Sequence, residues 1–467
     1  MEKLPYNLKD KQSIVQYAKN LISNTLREIC SEEIVGHNYS GKGNFGQVLE
    51  KFYFKYNPNS DAAADFPEVG LELKSSPLKQ LKNKDFRAKE RLVLNIINYL
   101  EIVNQEFEES AFWQKNANLL LVFYLHNKES EIIDYVISLV DEWDFPETDL
   151  EIIRQDWEKI KQKVVDGKAH ELSEGDTLYL GACTKGGKGG NLRRQPYNEE
   201  YAKQRAYSLK MGYVNHIIAT FAGEKRKNYG KIIPSLDVAK TRTLEEIIIS
   251  KFQPYYGQTT EEIVDNLDLE INMNAKSAKA NLTKLIFGIE MKAKIEEFEK
   301  AGIVIKTVQL KANNLPKENM SFPAFEYEVL VNENWETANF KIILETKYLF
   351  VFYQYNGTRN ELRKVKFWNM PYQDIEEAKM VWEKTRTLLE KGDIVKEIKC
   401  NKNGKSRRIT YFPKQSEYRI SHVRPHAQNS EDVYRLPVSD KVTGVEVYMK
   451  HCFWFNNTYI RDEIYLK

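Results

Sequence analysis

The stretch Ala64-Asp65-Phe66-Pro67-Glu68-Val69-Gly70-Leu71-Glu72-Leu73-Lys74 sets a carboxylate seven residues ahead of a Glu-x-Lys triplet, inside a run that alternates apolar and charged side chains. Residues two apart on a strand share a face, so Glu72 and Lys74 project together while Leu71 and Leu73 turn into the core. The short connection through Pro67 and Gly70 brings Asp65 alongside. Two carboxylates and an ammonium then converge, a hard-oxygen set suited to magnesium with Lys74 beside a scissile phosphate. In a chain this rich in charge, a solvated charged strand can show the same letters. The context favours catalysis: Gly46-Gln47-Val48-Leu49-Glu50, a helix-like segment ending in an acid, precedes the strand, and a basic stretch follows it.

Taken together, Lys42-Gly43-Asn44-Phe45-Gly46-Gln47-Val48-Leu49-Glu50, Asp65-x6-Glu72-x-Lys74 and Ser75-Ser76-Pro77 resemble the signature of MutH and the MutH-like restriction endonucleases that recognise GATC. Glu90 to Tyr99, His170 to Gly175, and Ser421-His422-Val423-Arg424-Pro425-His426 resemble the longer, two-lobed Sau-type enzymes more than the single-domain repair nickase. The resemblance covers nearly the whole chain. One departure is Ala64, where the common form of the nuclease motif has proline before the aspartate.

The resemblance implies an α/β fold of two MutH-like restriction-endonuclease lobes, each a mixed central sheet flanked by helices, the second a degenerate copy. It implies a type II restriction endonuclease making magnesium-dependent double-strand breaks at GATC, with 5′-phosphate and 3′-hydroxyl ends. Asp65 and Glu72, with the backbone carbonyl of Leu73, are the expected metal ligands. Glu50 is expected at the edge of the metal site or on a second ion, and Lys74 orients the attacking water or offsets charge in the transition state. Lys115, in Gln114-Lys115-Asn116 at the head of the next strand, resembles a further active-site lysine.

With 467 residues the chain can bury two domain-sized cores. Its 69 Lys and Arg against 67 Asp and Glu leave a charge of only +2, so affinity for nucleic acid must come from local patches. The four cysteines, Cys30, Cys183, Cys400 and Cys452, are scattered with no Cys-x-x-Cys pair, which argues against structural zinc and a disulfide framework. No apolar run approaches a membrane-spanning length, and the N-terminus leads into charged residues; a reduced, cytoplasmic protein is expected, with no membrane partner.

The chain also reads as the same fold twice. Asp65 to Lys79 aligns with Glu297 to Lys311, so that Phe66 meets Phe298, Gly70 meets Gly302 and Lys74 meets Lys306. The strand Leu119-Leu120-Leu121-Val122-Phe123-Tyr124 has its counterpart in Tyr348-Leu349-Phe350-Val351-Phe352-Tyr353, and Lys279 to Gly288 sits where Lys42 to Phe52 does. In the second copy Glu72 becomes Val304, which cannot hold a cation. One live and one dead lobe are expected, with a catalytic domain over 1–225, a linker over 226–243 and a second domain over 244–467. Helices are expected to resume at Leu244 and at Thr260, where threonine can cap, and a long one over Asp374 to Lys391.

Two regions are expected on DNA. From Lys74 to Arg91 there are seven basic residues against Asp85 and Glu90, enough to track phosphates. Thr184-Lys185-Gly186-Gly187-Lys188-Gly189-Gly190-Asn191-Leu192-Arg193-Arg194 is basic and without an acid, and lacks the P-loop spacing. The resemblance adds Lys185, Lys210 and Tyr213 as DNA contacts. His422 and His426 stand four apart, but Arg424-Pro425 breaks a helix there. A loop is expected instead, with Arg424 on a phosphate and no zinc. Cutting both strands with one live site requires two chains on the GATC dyad, or one chain that nicks twice. The second lobe is then an effector-binding or contact domain. A mismatch-repair-type strand-nicking GATC endonuclease, and a non-catalytic DNA-binding regulator with a relic nuclease fold, are the alternative readings.

Overall fold

The computed structural model of the chain describes residues 4–30, 44–56, 63–185, 191–224, 228–273, 275, 277–400 and 406–467. Lys42 and Gly43 of the first motif, residues 186–190 of the glycine-rich stretch, and 225–227 at the expected boundary lie outside them. The chain divides into two compact units, Met1–Leu244 with Lys292–Gly302, and Glu245–Met291 with Ile303–Lys467.

In the first unit, β1 (Leu71–Gln80) runs parallel to β4 (Asn118–Leu125), and β4 runs antiparallel to β5 (Ile137–Asp144); β2 (Phe86–Ala88) closes the outer edge. Leu119 to Phe123 are all buried, as befits a strand covered on both faces. On one face Leu71, Leu73, Leu120 and Val122 pack with Ile14, Val15 and Ala18 of the Lys11–Lys19 helix and with Phe45 and Leu49. On the other, Phe123 meets Phe221 of the Met211–Phe221 helix.

A second sheet sets β9 (Arg205–Leu209) antiparallel between β3 (Leu92–Ile96) and β6 (Leu180–Thr184), with the hairpin β7 (Leu192–Gln195) and β8 (Asn198–Lys203) inserted before β9. The Glu147–Val165 helix begins after Pro146 and buries Ile152, Ile153, Trp157, Ile160 and Val164 along one stripe. From that stripe the buried Asp156 accepts the backbone N–H groups of Leu178, Tyr179 and Leu180 at 2.7, 2.6 and 2.9 Å, fixing the head of β6. Within 226–243 the chain forms the Leu236–Thr241 helix, where Ala239 O accepts from Gln155 of the Glu147–Val165 helix at 2.8 Å.

The segment Lys292–Gly302 belongs to this first unit. There β10 (Tyr229–Gly230) pairs in parallel with β11 (Lys294–Ile295), which leads into the Glu296–Ala301 helix. A Cβ on Gly212 would lie 2.2 Å from the Glu299 carbonyl oxygen, so glycine is what lets this helix approach so closely. Lys300 Nζ is 2.8 Å from Asp149, and Glu297 accepts the N–H groups of Ile232 and Ile233 at 2.9 Å.

In the second unit β12 (Val304–Leu310) is parallel to β14 (Tyr348–Tyr355), and β14 is antiparallel to β15 (Asn360–Trp368). A second sheet sets β13 (Met320–Ala324) and β18 (Ser421–Pro425) antiparallel on either side of β21 (His451–Phe455). Two hairpins complete it, β16 (Val395–Cys400) with β17 (Ser406–Thr410), and β19 (Val433–Arg435) with β20 (Val447–Met449). The core gathers Phe350, Phe352, Trp368, Trp382, Phe453 and Phe455.

The second unit repeats the first in register. Glu72 lies opposite Leu119, and Val304 lies opposite Tyr348. The long helices start after Pro146 and Pro371, and each carries an aspartate three residues on, Asp149 and Asp374. Each aspartate accepts a tyrosine hydroxyl, from Tyr213 at 3.1 Å and from Tyr459 at 2.6 Å. Those tyrosines stand four residues past the last residue of the central strands, Leu209 in β9 and Phe455 in β21. The chain is thus an α/β protein of two lobes, each with a mixed central sheet flanked by helices, and the second repeats the first with Val304 in place of Glu72.

The sequence alignment slips at one acid. Glu297, matched by offset to Asp65, is in the helix of the strap 292–302 and is occupied as a cap of residues 232 and 233. The second lobe does resume with helices, Leu244–Phe252 and Thr260–Asn266, although Thr259 rather than Thr260 makes the capping box with Glu262.

Candidate active site

Strand β1 holds Glu72 and Lys74 on one face, and the Lys74 ammonium pairs with the Glu72 carboxylate. Glu72 is only 1% exposed, so its charge is held away from bulk water. Burial pushes its carboxyl up to about 7 against the pull of Lys74. A turn through Pro67 to Gly70, with Gly70 at φ +61°, folds Asp65 back along the strand. Asp65 then exchanges bonds with it. Its N–H donates to Glu72 Oε2 at 3.1 Å, and its Oδ2 accepts the Leu73 N–H at 3.0 Å.

Glu50 reaches the same place from the helical segment before the strand. A Cβ on Gly46 would stand 3.5 Å from Ser75 Oγ and 3.9 Å from Glu50 Oε1, so this segment lies directly against β1. The Glu50 carboxyl is pushed up to about 7, first by burial and then by the charge of Asp65. Lys115 Nζ is 3.8 Å from Glu72 Oε1. It projects from the last turn of the Ala111–Asn116 helix rather than from the head of a strand, because Ser110 caps that helix and carries it through Asn116 before β4 begins.

Tyr56 is a member of the site that the strand-based reading missed. Its hydroxyl is buried without a hydrogen-bond partner among the described residues, and its acidity is suppressed first by burial and then by the negative charges of Asp65, Glu50 and Glu72. No spacing rule connects an aromatic at 56 to Asp65; only the turn of the chain after the 49–53 helical segment does.

The donor chemistry fits a hard divalent cation. Asp65 and Glu72 supply carboxylate oxygens, and an orphaned hydroxyl sits beside them. Among the described residues no three His, Cys, Asp or Glu side chains ring one point closely enough to hold a metal together. A cation there would favour the ionised forms of the raised carboxyls.

The residues expected on DNA are dispersed. Lys79, Lys82 and Lys84 are exposed around the β1–β2 turn, whereas Arg87 pairs with Glu224 at 3.3 Å and Arg91 with Glu174. Lys185 is exposed at the end of β6, its N–H on the Gln204 carbonyl at 2.8 Å. Lys210 donates from Nζ to the Thr177 carbonyl at 2.5 Å. Tyr213 is a correction: it is 0% exposed, and with its hydroxyl on Asp149 it is a core residue that no DNA strand can touch. His422 is a second correction, since it lies buried on β18 instead of in a loop, with Nδ1 2.5 Å from Asn456 Oδ1. Alternation along β18 puts Arg424 on the same face, exposed, its guanidinium 5.3 Å from the Trp454 ring centroid.

An Asp/Glu-x-Lys cluster around the buried Glu72 on a parallel strand pair, with a second lysine and an acid from a preceding helix, is an arrangement suited to a nuclease. The sequence profile of the DNA mismatch repair enzyme MutH matches residues 54–156, the segment that carries Asp65, Glu72, Lys74 and Lys115. The chain is 35% identical to the type II restriction enzyme Sau3AI of Staphylococcus aureus, over 97% of this chain and 98% of that one. It is also 22% identical to the DNA mismatch repair protein MutH of Buchnera aphidicola, over 35% of this chain and 74% of that one. The chain belongs to the family of Sau3AI, the MutH-like type II restriction endonucleases, and is a site-specific deoxyribonuclease.

Proposed function

We propose that the enzyme makes magnesium-dependent double-strand breaks in DNA at GATC, leaving 5′-phosphate and 3′-hydroxyl ends. The observation that carries this reading is the convergence of Glu50, Asp65, Glu72, Lys74 and Lys115 on one side of β1. Asp65, Glu72 and the Leu73 carbonyl hold the cation. When bound, magnesium supplies polarisation of the phosphate and acidification of the attacking water. Lys74 lies on the carboxylate side of the strand and offsets charge as it builds on the phosphorane oxygens. Lys115 supports it from the neighbouring helix, and Glu50 stands at the edge of the metal site or on a second ion.

The second lobe, with Val304 in place of Glu72, binds DNA without cutting it. We assign it a regulatory role as the receptor of a second GATC duplex, with Arg424 on a backbone phosphate. Lys185 and Lys210 contact the substrate duplex, two chains meet on the palindrome, and the protein acts in the cytoplasm. No helix among the described residues is long and apolar enough to cross a membrane.

The test incubates the whole chain and its Glu72→Ala variant with magnesium and duplexes carrying GATC or a scrambled tetranucleotide. Double-strand cleavage at GATC alone, lost in the variant, is the expected result. Cleavage confined to one strand would favour a repair-type nickase, and binding without cleavage would favour a regulator.

A further inference from the structure

The second unit carries one element that the first lacks. Between the Tyr372–Lys391 helix and β18 the chain forms the antiparallel ribbon β16–β17, paired Ile398 to Arg408, Lys399 to Arg407 and Cys400 to Ser406. At the same place in the first unit, between the Glu147–Val165 helix and β6, there are only the short turns Ala169–Glu171 and Glu174–Asp176. The ribbon bonds to no third strand among the described residues.

Its charge is one-sided. Lys396, Lys399, Arg407 and Arg408 are all exposed, and Glu397, 3.2 Å from Lys399, is the one carboxylate on the two strands. Pairing and alternation put Lys399 and Arg407 on one face and Arg408 on the other, with Lys396 at the register shift between Val395 and Glu397, so both faces of the ribbon carry a cation. Lys396, Arg407 and Arg408 form no ion pair among the described residues, while the adjoining helix balances its cations, Lys379 against Glu383 and Arg386 against Glu390. Arg408 and Lys396 are braced on the rings of Tyr448 and Tyr411, at 5.5 and 5.8 Å, which holds their charge outward at low entropic cost.

A two-stranded ribbon is the width of a DNA major groove, and charge on both of its faces matches a groove walled by phosphates on both sides. We propose that β16–β17 is a DNA-binding arm of the second lobe, lying in a groove of duplex DNA and gripping its backbone through Lys396, Lys399, Arg407 and Arg408. This rests on the reading of the second lobe as DNA-binding, and adds the element by which that lobe holds its duplex.

The test measures binding of a labelled duplex by the whole chain in EDTA as salt is varied. The double variant Arg407→Ala/Arg408→Ala is expected to flatten the plot of log affinity against log salt by about 1.8, and to weaken binding at 0.1 M salt by roughly 10- to 60-fold. Arg407→Lys/Arg408→Lys restores the slope, and Lys391→Ala, an exposed cation outside the ribbon, leaves it at the wild-type value. A double variant with the wild-type slope and thermal midpoint overturns the proposal. If its mass in sedimentation changes while the slope does not, the ribbon binds protein instead, and the proposal is equally overturned. A parallel assay adds an uncleavable GATC duplex to the cleavage reaction. Stimulation of the wild-type enzyme with no slope change in the variant removes the ribbon assignment alone, whereas absence of stimulation removes the effector reading and leaves the slope to judge the ribbon.

Discussion

Glu72 has two roles that a single substitution separates. Its carboxylate receives the Asp65 N–H and pairs with Lys74, so Glu72→Gln keeps an acceptor for the backbone while removing the charge. Cleavage is expected to fall by at least roughly 100- to 1,000-fold, with a thermal midpoint near that of the wild type. Tyr56→Phe removes a buried hydroxyl that has no partner among the described residues, so its midpoint is expected to stay level or rise, as calorimetry would show. Asp65, Glu72 and Lys74 were legible because strand alternation is local and one short turn returns Asp65 to it. Tyr56 was not, because its place depends on how the chain leaves one segment and enters another. Tyr213 was misread for a different reason: it came from the family resemblance alone, and the helix it belongs to shows that it points inward.

At the scale of elements, the helix Glu296–Ala301 is held by one buried ion pair and one missing side chain. Lys300 is 5% exposed and Asp149 3%, and removing the ammonium leaves a carboxylate that burial already opposes. Lys300→Met is expected to cost about 3–5 kcal/mol in urea unfolding. Gly212→Ala should dislodge the same helix, since its methyl would collide with backbone rather than with a side chain that can turn aside; increased amide exchange at residues 232 and 233, whose N–H groups Glu297 caps, would report it. Internal repetition of the strands was readable to the residue, as the opposition of Leu119 and Tyr348 to Glu72 and Val304 demonstrates. The acid at 297 shows the limit of that method: an offset copies position along a chain and carries no information about whether the backbone there is a turn or a helix.

For the whole molecule, His451 links stability to acidity. It is buried 2.8 Å from the Met449 carbonyl, and burial pushes it down to about 4 from an ordinary 6.5. The unfolded chain therefore takes up the proton first. The stability that neutral His451 contributes is complete above about pH 6.5 and is lost as pH falls towards 4, by at most roughly 3 kcal/mol. A stability profile of His451→Gln is expected to be flatter than that of the wild type over this window, and parallel profiles would refute the assignment.

The strap 292–302 gives the protein a timetable. A ribosome delivers the chain from its N-terminus, and domains ordinarily close as they emerge. Here the first unit cannot seat its last helix on Gly212 or neutralise Asp149 until residue 302 is clear, with residues 245–291 of the second already exported. Synthesis thus commits the cell to the opening stretch of the second unit, residues 245–291, before the first is finished, and a message cut short after residue 244 yields a lobe left open at its own seam.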